Sequence, residues 1–273
     1  MEILNIKLVI LFLLFFIDAS AQKLPNKQIV SIRAPANVKI DGKATEWGNS
    51  LAAYNKAIDI FYTMANDNKK LYLIIQCKDQ QIMRTIINGG ITLIVQKTGK
   101  KSDKGAAIIE FPYLKKDKYV SIGLYQAFED GLREDPDGRI ADSIIKVNNK
   151  RLTSAVKFIY TKGLPGIDSL VSIYNDIGIQ AANAFNVNKI YTSELAVDLR
   201  LLNLSIDKAA KFSYHIIANG GPNRYSINAT AHIMVGVNSN GTAMSQAQLA
   251  DIKNMVGGIG SATTDFWGEY TLK

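Results

Sequence analysis

Ile40-Asp41-Gly42, followed by Glu46-Trp47, opens the stretch of sequence that decides the fold. Two apolar runs follow, at residues 58–62 and 71–77, and large apolar residues recur at every second position in both. Asn66-Asp67-Asn68 separates the runs, and Asn and Asp favour tight turns between strands. A turn, an anchoring tryptophan and a pair of joined strands are typical of the edge of a β-sandwich.

Strand patterns also dominate the rest of the chain. They predict strands at residues 91–98, 106–111, 143–147, 153–160, 177–185, 190–199, 212–218, 231–237 and 265–272. Pro112 is expected to end the strand before it. Short helices are predicted at residues 79–87 and 245–255, with a helical turn at 201–204, and residues 119–128 fit either a helix or a strand. Because no segment has linker composition, we predict one all-β sandwich of two antiparallel sheets, jelly-roll-like, with a few short helices; two smaller β domains meeting near residue 150 are the alternative.

The N-terminus has the pattern of a secretory signal peptide. Lys7 precedes an unbroken apolar run at residues 8–17, and Ala19-Ser20-Ala21 supplies the small residues that a signal peptidase recognises. We therefore expect residues 1–21 to be removed and residues 22–273 to form the sandwich domain, exported to the periplasm or the extracellular space. The apolar run is too short to span a membrane. Cys77 is the single cysteine, so no intrachain disulfide is expected.

The chain is basic, with 32 Lys and Arg residues against 24 Asp and Glu residues and a formal net charge of +8. Its lysines are scattered, with short clusters at predicted turns, where lysine is usually solvated. A polysaccharide or a glycoconjugate is therefore a better partner than a nucleic acid, which the export signal also disfavours.

The ordered landmarks resemble carbohydrate-binding module family 9 and the wider DOMON-like sandwiches. The matching pieces are the Ile40-Asp41-Gly42 and Glu46-Trp47 motifs, Asn66-Asp67, residues 191–197, residues 212–216 and the terminal residues 266–272. The resemblance implies a sandwich in which Asp41, Gly42, Trp47 and Asp67 are structural landmarks. In the family's sugar-binding members two tryptophans clamp a sugar. The corresponding segments here, residues 86–90 and 257–264, contain no tryptophan.

A saccharide site in this chain would therefore use other aromatic residues. Tyr113 and Tyr125 flank the irregular middle region and are the leading platform candidates, together with Trp267. The alternative for Trp267 is burial on the closing strand, and Trp47 is expected to pack beneath the sandwich.

Cofactor and catalytic signals are weak. His232 and Met234 are two residues apart on one predicted strand and share a face, so they cannot bind opposite sides of a haem. The acidic stretch at residues 129–142 leaves calcium open, but its spacing fits no EF-hand loop and a solvated loop is preferred. The sequence shows no catalytic carboxylate pair, nucleophile elbow or histidine cluster. We expect neither a cofactor nor a metal.

Together these patterns predict an exported, non-catalytic binding protein for a glycan or glycoconjugate. The alternative is a structural or interaction protein of the cell envelope that uses the sandwich as a scaffold. An enzyme is disfavoured because the sequence shows none of the catalytic residue groups named above.

Overall fold

Two sheets of six strands each are present in the computed structural model, which describes residues 23–48, 51–115, 118–123, 137–167, 169–220, 245 and 263–273. The first sheet contains β1 (Ile32–Arg33), β2 (Ala53–Asn55), β3 (Ile60–Asn66), β4 (Lys70–Cys77), β9 (Ile179–Phe185) and β10 (Tyr191–Asp198). The second contains β5 (Ile91–Gln96), β6 (Ala107–Tyr113), β7 (Phe158–Lys162), β8 (Leu170–Ser172), β11 (Lys211–Ala218) and β12 (Thr264–Thr271). The predicted all-β sandwich is confirmed.

The strand order is β1-β3-β4-β10-β9 in the first sheet, where β2 also pairs with β3, and β12-β11-β5-β6-β7-β8 in the second. Neighbouring strands are antiparallel, except that β1 runs parallel to β3. Alternation along each strand sends one set of side chains into a shared core and the other set to an outer face. Tyr62 and Tyr214 meet across this core, with their hydroxyl oxygens 3.0 Å apart. Cys77 is fully buried in it as well.

Helix α1 (Gln80–Gly89) connects the two sheets. The Asp79 side chain caps it by accepting hydrogen bonds from the backbone N–H groups of Gln81 and Ile82, and Gly90 ends it at φ 82°. The helix was predicted at residues 79–87, close to its observed extent. Ile86 and Ile87 are fully buried. Residues 86–89 therefore form the last turn of a core helix.

Helix α2 (Arg139–Ala155) replaces the strands predicted at residues 143–147 and 153–160, and that prediction was wrong. Ile145 and Leu152 are buried on one face of the helix, whereas Val147 is 46% exposed. The spacing of seven residues between the buried pair is close to two helical turns, a period that the dense run of Ile and Val concealed. The following strand, β7, begins only at Phe158.

A segment before β2, residues 34–47, lies across part of the outer face of the first sheet, and we call it the strap. Its apolar side chains pack against a small cluster formed by Leu51, Tyr72, Ile74 and Ala196. The ring of Trp47, the last strap residue, lies 5.9 Å from that of Tyr72.

The Glu194 carboxylate on β10 fastens the strap to the sheet. Its Oε2 atom accepts hydrogen bonds from the backbone N–H groups of Asp41 at 3.0 Å and Gly42 at 2.8 Å. Gly42 has a φ of 81°, and a Cβ atom at this position would lie 2.7 Å from the backbone of Asn183 and Ala184 on β9. Only glycine fits this contact, which explains why the motif contains one.

Asp67 organises the β3–β4 turn. Its Oδ1 atom accepts hydrogen bonds from the backbone N–H groups of Lys69 and Lys70, each at 2.6 Å, and its Oδ2 atom accepts one from the Tyr72 hydroxyl at 2.7 Å. The turn is therefore set by an aspartate side chain, as the Asn-Asp-Asn sequence indicates.

Several predictions fall outside the described residues, namely the signal peptide at residues 1–21, the strand at 231–237 and, apart from residue 245, the helix at 245–255. No helix in the described ranges combines the length and apolar character needed to cross a membrane.

Replacing Gly42 with alanine should destabilise the protein far more than the same change at Gly99. Both residues have positive φ, 81° and 72°, but a Cβ atom at Gly99 would have no neighbour within 4 Å. We expect Gly99→Ala to cost about 1 kcal/mol from backbone strain alone. Gly42→Ala should cost about 2–4 kcal/mol because the strap must also move away from β9. Urea denaturation measures both, and equal losses would contradict the proposed steric contact.

Candidate functional site

A bulge in β6 turns Tyr113 to the outer face of the second sheet. Glu110 pairs with Tyr160 on β7, and Tyr113 pairs with Phe158, so three steps along β6 correspond to two along β7. Strict alternation from Glu110 would point Tyr113 into the core, and the one extra residue reverses it. The strand also continues through Pro112, contrary to the prediction that Pro112 ends it.

The bulge creates an aromatic strip, which we define as Tyr113, Phe158 and Tyr160 with Lys115. The Tyr113 and Tyr160 rings stack with centroids 5.6 Å apart and an interplanar angle of 23°. The Lys115 ammonium lies 4.9 Å from the centre of the Phe158 ring. All three aromatic side chains are half-buried, which fixes their orientation while part of each surface stays accessible. Flat rings presented in this way can stack against the C–H face of a sugar.

Glu110 lies directly beside the strip, opposite Tyr160. Gly90 packs over its side chain, since a Cβ atom at Gly90 would lie 3.0 Å from Glu110 Cγ. Burial raises the pKa of the Glu110 carboxyl from its ordinary value of 4.5 to about 7. Within the described residues no donor forms a hydrogen bond with this carboxyl, so it can serve a ligand hydroxyl as acceptor or, when neutral, as donor.

Thr92 and Asn219 extend the polar side of the site. Thr92 is opposite Glu110 on the other neighbouring strand, β5. The Asn219 side-chain amide donates a hydrogen bond to the Thr92 hydroxyl at 2.9 Å. The site thus combines an apolar platform with a few polar groups, the composition typical of small-molecule sites.

Trp267 is also on the outer face of the second sheet and is half-buried. It stacks on His215 of β11 with ring centroids 4.2 Å apart and an interplanar angle of 16°. The His215 Nδ1 atom is 3.1 Å from an Asp103 carboxylate oxygen. The Nε2 atom is 3.0 Å from an Asp265 oxygen, but its geometry is that of a close contact and not of a hydrogen bond. Trp267 therefore points outward, and its alternating neighbours Phe266 and Gly268 fill the buried positions.

The predicted platform residues do not converge on one point. Trp267 on β12 and Tyr113 on β6 share a sheet face, but three inter-strand spacings separate their strands, about 14 Å. Tyr125 lies outside the described residues.

The candidate metal and haem residues are only partly described. The calcium stretch at residues 129–142 is described only from Asp137, and His232 and Met234 lie outside the described ranges. Among the described residues no group of three His, Cys, Asp or Glu side chains could hold a metal ion. His215 and Met64, the described histidine and a core methionine, cannot be axial ligands of one haem, because Met64 is fully buried in the core and His215 is on an outer face.

Sequence reasoning missed Glu110, Phe158 and Tyr160. One signal was available for Glu110, which is the only charged residue in the apolar run at residues 106–111 and therefore had to face outward. No sequence signal places Tyr160 beside it, because the two are 50 residues apart in the chain and meet only through β6–β7 pairing.

A cleft of about 460 Å³ lies at the other end of the sandwich, next to the β3–β4 turn. Its charged lining groups include Lys69, Asp198, Arg200 and Asp207, and Asp198 and Arg200 form an ion pair at 3.0 Å. None of its lining residues is aromatic, so it lacks the platform that the strip has.

The fully buried Glu194 and the half-buried Glu110 both have a raised pKa, but their carboxyls do not form a catalytic pair. Burial raises the pKa of Glu194 to about 7, as it does for Glu110, although the N–H groups of Gly42 and Asp41 oppose the shift. Glu194 is on the outer side of the first sheet and Glu110 on the outer side of the second. Glycoside hydrolysis requires both groups to flank one bond, which this placement excludes for this pair.

Comparisons with known proteins give a similarity of fold alone. No family model matches the sequence, and no curated protein matches it. Among solved structures the chain is similar to a carbohydrate binding module family 9 protein from Caldicellulosiruptor kristjanssonii, solved in complex with glucose. The identity is 10% over 89% of this chain and 95% of that one, with a TM-score of 0.34.

Glu110 should make stability depend on pH near neutrality. Because the pKa of Glu110 is raised in the folded state, the neutral carboxyl contributes to the free energy of unfolding. This contribution is complete below about pH 4.5 and is lost as the pH rises through about 7. The melting temperature should therefore fall between pH 5 and pH 8, and less steeply in Glu110→Gln. Part of the slope should remain, because Glu194 is shifted in the same direction. Carbon-13 NMR of the Glu110 carboxyl should give a midpoint near 7; a midpoint near 4.5 would contradict the burial of this group.

Proposed function

We propose that this protein is an exported, non-catalytic glycan-binding protein whose platform is the aromatic strip on β6 and β7. The observation that carries this proposal is the stacked Tyr113–Tyr160 pair beside the half-buried Glu110 carboxyl. Aromatic faces supply the apolar contact with a sugar ring, and the carboxyl, Thr92 and Asn219 orient its hydroxyls.

Pre-organisation supports this use of the strip. The Tyr113 and Tyr160 rings rest on each other, and Thr92 and Asn219 hold each other by a hydrogen bond. A ligand then immobilises few side chains on binding, which preserves affinity. Export is proposed from the N-terminal sequence pattern, and it would place the site where polysaccharides and glycoconjugates occur.

The scaffold alternative receives less support. A docking face for an envelope protein calls for a contiguous apolar patch. Among the described residues the most exposed large hydrophobic side chains are Ile29, Val187, Tyr174 and Val30, at 83%, 73%, 73% and 63%. Ile29 and Val30 lie in the N-terminal segment, Val187 in the β9–β10 turn and Tyr174 in the loop after β8. Only Ile29 and Val30 share a segment, and two adjacent side chains do not make a contiguous docking patch.

Tyr160→Ala should reduce glycan affinity about tenfold or more, the loss typical of removing a central aromatic anchor. The mature chain is first screened on an array of neutral and acidic glycans, with and without calcium, and the best ligand is then titrated calorimetrically. Tyr174→Ala is the matched control, because it removes an exposed tyrosine outside the strip and should leave affinity unchanged.

The Glu110→Gln variant separates the contribution of the polar groups to glycan affinity from that of the aromatic rings. It should weaken binding while leaving the Tyr113–Tyr160 stack intact. An array with no signal in any class of glycan would overturn the proposed function and favour the scaffold alternative. Binding that Tyr160→Ala leaves unchanged would show that the glycan lies elsewhere.

A further inference from the structure

A row of outward-facing side chains crosses part of the first sheet on the opposite side of the molecule. Strand register aligns it through β2, β3 and β4, and its members are Tyr54, Phe61 and Gln76. We call these three side chains the outer row. They span two inter-strand spacings, about 10 Å. Beyond Gln76 the face is closed, because Thr192 on β10 is 2% exposed and Ala184 on β9 lies beneath Gly42 of the strap. The strap covers the neighbouring part of the same face and borders the row.

Two aromatic rings form one end of the outer row. The Tyr54 and Phe61 rings are 4.7 Å apart with an interplanar angle of 36°. Phe61 also packs against the small cluster beneath the strap, and the Tyr54 hydroxyl donates a hydrogen bond to Asp59. Both rings are therefore held in place without a ligand, and both are half-buried, so part of each remains accessible.

Hydrogen-bonding groups continue the row. The Gln76 side-chain amide donates a long hydrogen bond of 3.3 Å to the Thr192 hydroxyl. The Gln76 side-chain oxygen, Oε1, accepts no hydrogen bond from another described residue. Aromatic rings followed by an amide group match a saccharide better than a flat apolar partner.

A lysine sets the charge of this surface. The exposed Lys78 ammonium lies 5.2 Å from the centre of the Phe61 ring, and no carboxylate of the described residues forms an ion pair with it. The nearby Asp59 carboxylate already accepts the Tyr54 hydroxyl. An acidic sugar could pair its carboxylate with Lys78 while its ring stacks on the aromatic pair.

We infer that the outer row is a second saccharide site, selective for an acidic, uronate-containing chain. The inference extends the proposed function, because the aromatic strip repeats the arrangement of an aromatic ring pair with a lysine over a phenylalanine ring. The two sites face opposite directions across the sandwich. One molecule can therefore bind two polysaccharide chains, or one chain gains avidity from several molecules.

The test is calorimetric titration of the mature chain with an oligogalacturonate, with a neutral oligosaccharide in parallel. We expect two acidic ligands per chain, and one after Phe61→Ala. Lys78→Gln should weaken the second site about tenfold for the acidic ligand, the loss expected for one charge-assisted contact, and leave the neutral ligand unaffected. Because Lys78 is exposed, this variant is expected to fold even if Phe61→Ala does not. Tyr174→Ala again serves as the control.

The outcomes separate the two proposals. A single bound ligand that Tyr160→Ala removes and Lys78→Gln leaves unchanged would overturn the second site while the aromatic strip stands. Binding that Lys78→Gln weakens and Tyr160→Ala does not would support the outer row and overturn the strip. Equal affinity for acidic and neutral ligands in the parent and in Lys78→Gln would overturn the charge selectivity.

Discussion

The Glu194 carboxylate and the two backbone N–H groups of Asp41 and Gly42 form the interaction on which the rest of the first sheet depends. A fully buried carboxyl is unfavourable unless its oxygens find donors, and the Ile40-Asp41-Gly42 turn supplies two of them. This turn requires a glycine at position 42, because the backbone of β9 approaches too closely for any side chain. This mutual requirement fixes the strap and seats Trp47 on Tyr72. It also leaves the outer row at the margin of the strap, where Tyr54, Phe61 and Gln76 stay half-buried.

Much of the fold could be predicted from the sequence, because alternation with period two is a strong local signal. Residues 71–77 and 190–199 were predicted as strands and became the central strands β4 and β10. Helix α2 was missed because its Ile and Val residues cluster without alternating, so that the buried Ile145 and Leu152 stand out only once the core is known. The local pattern of apolar residues cannot distinguish a strand from a helix when it is compatible with both.

The candidate site was predictable only in part. Tyr113 was identified as a platform residue from its place beside an irregular region, and the structure sets it on an outer face next to Tyr160. That partnership depends on strand pairing over a long sequence separation and on a bulge, neither of which has a sequence signal here. Glu110 acquires its raised pKa from burial in the folded protein, where Gly90 packs against its side chain, and such tertiary contacts are likewise invisible in the sequence.

The bulge between Glu110 and Tyr113 has a consequence for how such a surface can arise. Its effect depends on whether the count of residues between two pairing positions is odd or even, and not on which residues they are. Insertion or deletion of one codon at this edge would exchange the inward and outward sets at the end of β6. A binding face could thus be gained or lost in a single genetic step while the hydrophobic composition of the strand stays the same.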